Sequence, residues 1–213
     1  YNAIVMRPRS DDLPFEQEAT VDASLCVGCG ICAGACPTST PFRRASALVP
    51  GIDLPDRSLR ALRDELEAVA ARLGGEAKVI VFGCDRAAPV GRLAAKGVGT
   101  LSLPCIAALP PSFIDYVLSR GLADGVVITG CRDGECFNRY GVTWTKARLA
   151  GERDPYLRKR VPRERILSYW AAGADRAALQ REIDTFRAGL SPQPRPDAAS
   201  PAFAVVKGSS DNA

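Results

Sequence analysis

Hydrophobic positions along the chain change period at about residue 78. Upstream, Leu59, Leu62, Leu66, Val69 and Leu73 recur at three- and four-residue spacing, which is one face of an amphipathic helix. Asp56 or Ser58 can cap its start, and Gly74-Gly75 ends it. Downstream, short apolar runs alternate with helical patterns. Lys78–Gly83 (KVIVFG), Val98–Leu103 and Gly125–Thr129 (GVVIT) read as buried strands, with a fourth over Arg165–Tyr169. Helices are predicted over Ala87–Lys96, Pro111–Arg120 and Cys136–Ala150. A closing helix over Ala174–Leu190 carries Leu179, Ile183, Phe186 and Leu190 on one face.

Strands that are apolar throughout, separated by helices, predict a parallel sheet covered on its faces. With right-handed crossovers the expected architecture is α/β, a small open, doubly wound, flavodoxin-like sheet of about four strands. Residues 1–50 differ: they are short-patterned and turn-rich. Residues 191–213 contain Pro192, Pro194, Pro196 and Pro201 among Ser, Asp and Ala, with neither helical nor strand period. Such a tail does not pack alone, and is expected to need a partner surface to order it.

The cysteine count changes the picture most. The chain has 213 residues, eight cysteines and no histidine. A chain of this length can build a core without disulfide staples, which favours metal-holding thiolates in a cytoplasmic setting over a secreted disulfide framework. The missing histidine excludes Rieske centres, Cys/His zinc fingers and histidine acid–base chemistry within the chain. A formal charge of +4 is too mild to argue for nucleic acid. No apolar run reaches the roughly 20 residues of a membrane span, leaving open whether a parent complex sits at a membrane surface.

Half of the cysteines form one motif. Cys26-x2-Cys29-x2-Cys32-x3-Cys36-Pro37 matches the bacterial ferredoxin run that binds [4Fe–4S] clusters. Gly28, Gly30 and Gly34 let the loop wrap closely enough for thiolates to reach one cube while backbone N–H groups approach its sulfides. An α+β ferredoxin-like domain is therefore expected over 1–50. In two-cluster ferredoxins the fourth cysteine serves the other cube. Cys26, Cys29 and Cys32 then want a ligand from elsewhere, and Cys36 wants three companions. The opening Tyr1-Asn2-Ala3-Ile4-Val5 resembles the segment after a Cys-Pro in the first half of such a ferredoxin. This suggests that the sequence begins inside a longer chain whose upstream part supplies the first motif. The alternative is one cube held by all four cysteines, so one or two [4Fe–4S] clusters are expected.

Cys84, Cys105 and Cys131 each fall just past the carboxyl end of a predicted strand, and Cys136 follows in Gly130-Cys131-Arg132-Asp133-Gly134-Glu135-Cys136. Those strand ends line one crest of an open parallel sheet, where ligands bind. Four thiolates converging there suit a [2Fe–2S] cluster or an all-cysteine zinc site.

Residues from about Lys78 to Trp170 resemble the delta subunit of methyl-viologen-reducing hydrogenase, the hydrogenase iron–sulfur subunit family found with heterodisulfide reductase-like flavoproteins. The resemblance rests on Val81-Phe82-Gly83-Cys84, Pro104-Cys105, Ala123-Asp124-Gly125-Val126-Val127 and the Gly-Cys-x-x-Gly-x-Cys run over Gly130–Cys136. It implies a [2Fe–2S] cluster on Cys84, Cys105, Cys131 and Cys136, passing electrons between a partner oxidoreductase and a flavin subunit. The family commonly has a further cysteine near the first strand end, where this chain reads Cys84-Asp85-Arg86-Ala87. The organisation implied is a ferredoxin-like domain (1–50), a linker with an amphipathic helix (51–77), a delta-subunit-like domain (78–190) and an extended tail (191–213). The chain would be an electron-transfer subunit, with other subunits of a redox complex as partners: a flavoprotein, or a hydrogenase-, formate dehydrogenase- or heterodisulfide reductase-like enzyme.

Two readings from other classes compete: a zinc-stabilised interaction module on the second cysteine set, and a thiol redox enzyme using Cys131 and Cys136. The latter lacks the usual C-x-x-C spacing. The remaining features have plain explanations. The basic run Arg158-Lys159-Arg160, Arg163 and Arg165 reads as a solvated loop. Trp144 and Trp170 read as packing residues, and Asp133 and Glu135 as helix caps or modulators of cluster charge. Gly83…Gly91 and Gly97…Gly99 do not form a dinucleotide fingerprint.

Overall fold

A computed structural model describes residues 2–9, 16–42, 52–54, 57–93 and 95–192. Asp56 and positions 193–213 of the tail lie outside the described residues. The N-terminal part pairs β1 (Ile4–Pro8) with β2 (Gln17–Val21) as an antiparallel ribbon, Ile4 opposite Val21 and Pro8 opposite Gln17. The short helix α1 (Ile31–Ala35) follows within the first cysteine motif.

Helix α2 (Leu59–Arg72) is capped by Ser58, whose hydroxyl accepts from the Ala61 N–H at 3.1 Å. Its buried stripe is Leu59, Leu62, Leu66 and Ala70, as the spacing predicts. The second part holds four parallel strands, β3 (Val79–Cys84), β4 (Val98–Leu103), β5 (Gly125–Gly130) and β6 (Ile166–Trp170), in the order β4-β3-β5-β6. This is the expected open α/β sheet. Because β4 and β5 both flank β3, the chain reverses direction across the sheet at β3, and the carboxyl ends of β3, β4 and β5 share one crest.

Both faces are covered. On one, Ile80, Phe82, Leu101, Val126 and Ile128 pack with α2, with α3 (Ser112–Ser119) and with Val142 of α4 (Gly141–Ala150). On the other, Val79, Val81 and Val127 meet Leu179 and Ile183 of α5 (Arg176–Ala188), with Phe186 and Leu190 alongside. Asp124 ties the sheet at its opposite end: its carboxylate accepts from the Lys78 N–H at 2.8 Å, and its own N–H donates to the Lys78 carbonyl at 2.7 Å.

Two helices differ from expectation. Between β3 and β4 the described residues form only a 3₁₀ turn, Val90–Leu93. Pro89 starts it and Gly91 weakens any continuation, while the Val90 side chain lies so close to Gly83 that it seals the sheet face without a longer helix. Helix α4 begins at Gly141, five residues after Cys136, because Cys136–Tyr140 forms a separate turn in which Arg139 takes a left-handed φ of 59°. The basic run is not a free loop. Arg158 and Arg160 hold the buried Asp115 carboxylate at 3.5 and 2.7 Å and lie over the Phe42 ring. Arg163 donates to the carbonyls of Leu149 and Leu157, and Arg165 to that of Asp124.

Candidate metal centres

The first cysteine set begins in a turn built by Asp22. Its carboxylate accepts from the Ser24 N–H at 2.9 Å and the Ser24 hydroxyl at 2.6 Å, while its carbonyl accepts from the Leu25 and Cys26 N–H groups. These bonds to Ser24 hold the Asp22 carboxyl below its ordinary pKa. The loop then turns through Gly28 and Gly30, both at left-handed φ, into α1. Burial raises the Cys32 pKa, and Cys29 and Cys26 lie near enough for their charge to disfavour its thiolate further. The Gly28 N–H approaches the Cys26 sulfur at 3.5 Å. The Cys36 sulfur lies beyond α1, 3.0 Å from the Thr38 hydroxyl.

The second set converges as the strand ends require. Cys84 closes β3, Cys105 follows β4 and begins a 3₁₀ turn over Ile106–Ala108, and Cys131 directly follows β5. All three are buried, and Cys136 is half-buried. Their sulfurs are neighbours in a chain, Cys131 beside Cys84, Cys84 beside Cys105 and Cys105 beside Cys136. Among the described residues, no group of three or more cysteine or acidic side chains is spaced to hold a single metal ion.

The donors around these sulfurs are those a thiolate cluster uses. Backbone N–H groups of Arg86 and Ile106 face Cys84, that of Ala107 faces Cys105, and that of Phe137 faces Cys131. The buried Asn138 side chain also lies beside Cys105 and favours its thiolate. Hydrogen bonds to sulfur stabilise thiolates and tune clusters. The Cys84 thiol donates to the Pro104 carbonyl at 3.8 Å, and its closeness to Cys105 drives the Cys84 pKa up while pulling that of Cys105 down against its burial. Burial likewise raises Cys131. Gly141, the first residue of α4, fits the same picture. A Cβ there would overlap the Cys105 sulfur and lie 3.1 Å from that of Cys136, so only glycine lets the helix start come this close to both. This donor set fits an iron–sulfur centre.

The two sets meet. Ile31 of α1 packs with Cys105 and Ala107 in one apolar cluster, with Cys29 and Trp144 against it. Gly34 lies directly on the Ala107 carbonyl, and Gly30 lies against Leu54 and Ala108. Trp144 is stacked between Tyr140, at 5.1 Å, and Arg153, at 3.8 Å. It is a packing residue, at the seam between the two cysteine sets.

Three site residues carry no motif in the sequence: Asn138, Gly141 and Arg148. Arg148 is 1% exposed, and its Nη1 donates to the Ala107 carbonyl at 2.9 Å. Burial, with the like charge of Arg153, lowers its pKa to about 10, which leaves it charged near neutral pH. Asp133 and Glu135 do not cap α4, whose N-cap is Tyr140 and has no side-chain cap bond. Asp133 instead binds Lys146 at 2.6 Å and Glu135 approaches Arg132 at 4.0 Å, while Arg132 forks onto Asp175 through two bonds of 2.6 Å. These pairs pin the Cys131–Cys136 loop to α4 and to the start of α5.

A family model described as methyl-viologen-reducing hydrogenase, delta subunit, matches residues 79–191, and one described as a 4Fe-4S binding domain matches residues 19–41. No curated protein matches the chain. Among the described residues no helix is long and apolar enough to cross a membrane.

Proposed function

The chain belongs to the methyl-viologen-reducing hydrogenase delta subunit family and carries a 4Fe-4S binding domain; from that premise we propose that it relays single electrons between a [4Fe–4S] cluster and a [2Fe–2S] cluster inside a larger redox complex. Iron–sulfur electron transfer and membership of a redox complex follow from the two families. The finer assignment is ours. Cys26, Cys29 and Cys32 hold the cube, and Cys36 is its fourth ligand or, as in two-cluster ferredoxins, serves a companion cube. Cys84, Cys105, Cys131 and Cys136 hold the smaller cluster.

The observation that carries the relay is the shared apolar cluster of Ile31, Cys105 and Ala107, against which Cys29 packs. One ligand of each set borders the same dry seam. When bound, the clusters supply the one-electron chemistry. The protein excludes water from the seam, aims N–H groups at the sulfurs and holds the two ligand sets in fixed relation. No proton need move with the electron. The outer electron donor and acceptor are other subunits, a flavoprotein or a hydrogenase-, formate dehydrogenase- or heterodisulfide reductase-like enzyme.

The test is an anaerobic preparation of the full chain, with iron, zinc and acid-labile sulfide counted and EPR spectra recorded on reduction, beside Cys105→Ser. The expected result is two kinds of cluster in the native chain and loss of the smaller one alone in the variant. Zinc at the crest, with only cubane signals remaining, would overturn the relay and make the α/β part a structural module.

A further inference from the structure

Arg148 is the charged residue that the cluster-binding role has not yet absorbed. It lies on the same face of α4 as Gly141, which touches the sulfurs of Cys105 and Cys136, and Thr145, whose hydroxyl bonds back to the Gly141 carbonyl at 2.7 Å. All three are buried. The guanidinium reaches the Ala107 carbonyl through Nη1, while Nε and Nη2 are buried with no hydrogen-bond partner among the described residues. A buried cation left with two unmatched nitrogens is costly unless negative charge lies within reach. Burial and the like charge of Arg153 disfavour the Arg148 charge, and negative charge on Cys105 favours it. Arg153 is turned onto the Trp144 ring, whereas Arg148 holds a carbonyl two residues past Cys105, on the helix face whose Gly141 touches the Cys105 and Cys136 sulfurs.

We propose that Arg148 is the fixed buried counter-charge of the crest thiolates, a positioning residue that raises the reduction potential of the centre they hold and so draws electrons across the seam toward it. This inference rests on the relay reading above. An all-thiolate cluster is anionic, and more so after it accepts an electron from the cube, which is oxidised in the same step. A nearby cation in a low-dielectric site therefore stabilises the reduced state more than the oxidised one. Arginine suits this role because it stays charged when buried better than lysine, and its fork can hold the Ala107 turn at the same time.

The experiment is an EPR-monitored redox titration of the full chain, comparing native protein with Arg148→Gln and Arg148→Lys. Glutamine keeps an amide donor for Ala107 but removes the charge; lysine keeps the charge and loses the fork. The expected outcome is a lower potential for the smaller cluster in the glutamine variant, a smaller shift in the cube, and a near-native potential in the lysine variant. An unshifted glutamine variant, or a lysine variant that falls as far, overturns the inference while leaving the relay intact. If the glutamine variant fails to assemble, a shifted potential in the lysine variant alone still overturns it. Absence of any smaller-cluster signal in the native chain overturns the relay reading, and this inference with it.

Discussion

Gly34 of α1 and the carbonyl oxygen of Ala107 are in contact so close that a Cβ on Gly34 would overlap that oxygen. The partner atom is backbone, at the turn that follows Cys105, so it cannot swing aside. Gly34→Ala is expected to push the ferredoxin segment off the α/β part and to cost about 1–3 kcal/mol, the usual scale of overpacking. Chemical denaturation measures the cost. Weaker spin–spin coupling between the two reduced centres would report the separation, and an unchanged coupling at native stability would show that the seam is not the contact described.

Gly141→Ala acts on the second centre alone. The new methyl would meet the Cys105 and Cys136 sulfurs from the start of α4. The expected outcome is loss of the smaller cluster with the cubane EPR signal and the far-UV circular dichroism retained. Simultaneous loss of both clusters would mean that the crest supports the whole fold rather than one site.

Asp115 is buried on α3, whereas its partners Arg158 and Arg160 are more than half exposed. The pair is therefore asymmetric. Removing the aspartate lets both arginines return to water, but removing both arginines strands a buried carboxylate. Arg158→Ala/Arg160→Ala is expected to cost about 3 kcal/mol or more, and Asp115→Ala clearly less. Urea denaturation of the two variants decides the order; equal costs would mean that the arginines act mainly through their contact with Phe42.

Tyr116 is half-buried, and its hydroxyl donates to Glu67 at 2.6 Å. Burial first, and the Glu67 carboxylate second, push its pKa from the ordinary value of 10.0 up to about 12. A phenol that ionises later in the folded chain than in the unfolded one stabilises the fold fully below pH 10. That contribution drains away as pH rises from 10 to about 12. Tyr116→Phe should therefore lose less stability than the native chain over this range. A ¹³C-tyrosine NMR titration should place Tyr116 last among the tyrosines, and Glu67→Gln should bring it down.

Much of this protein is legible in its sequence because the signals are local. The Cys26–Cys36 spacing is set by one loop, and loop reach depends only on neighbouring residues. The stripe Leu59-Leu62-Leu66 and the runs VIVFG and GVVIT report burial through their period alone, which was enough to place Cys84, Cys105 and Cys131 at the carboxyl ends of neighbouring parallel strands. The same reasoning overextended the helix after Cys84, because period cannot show that Val90 would seal the face by itself. It also missed the use of the basic run, since nothing near Arg158 and Arg160 in sequence announces Asp115, more than forty residues away.

By itself, then, the sequence determined the α/β class, the four-iron motif and the cysteine crest, all properties of residue type at short spacing. Only the tertiary structure decided that α1 lies on the Ala107 turn, that Asn138 and Gly141 face the Cys105 sulfur, and that a buried Arg148 reaches the same turn. Those contacts join segments that are distant in sequence, and they depend on how closely two backbones can approach and where a buried charge can be balanced. Composition and periodicity carry no record of either.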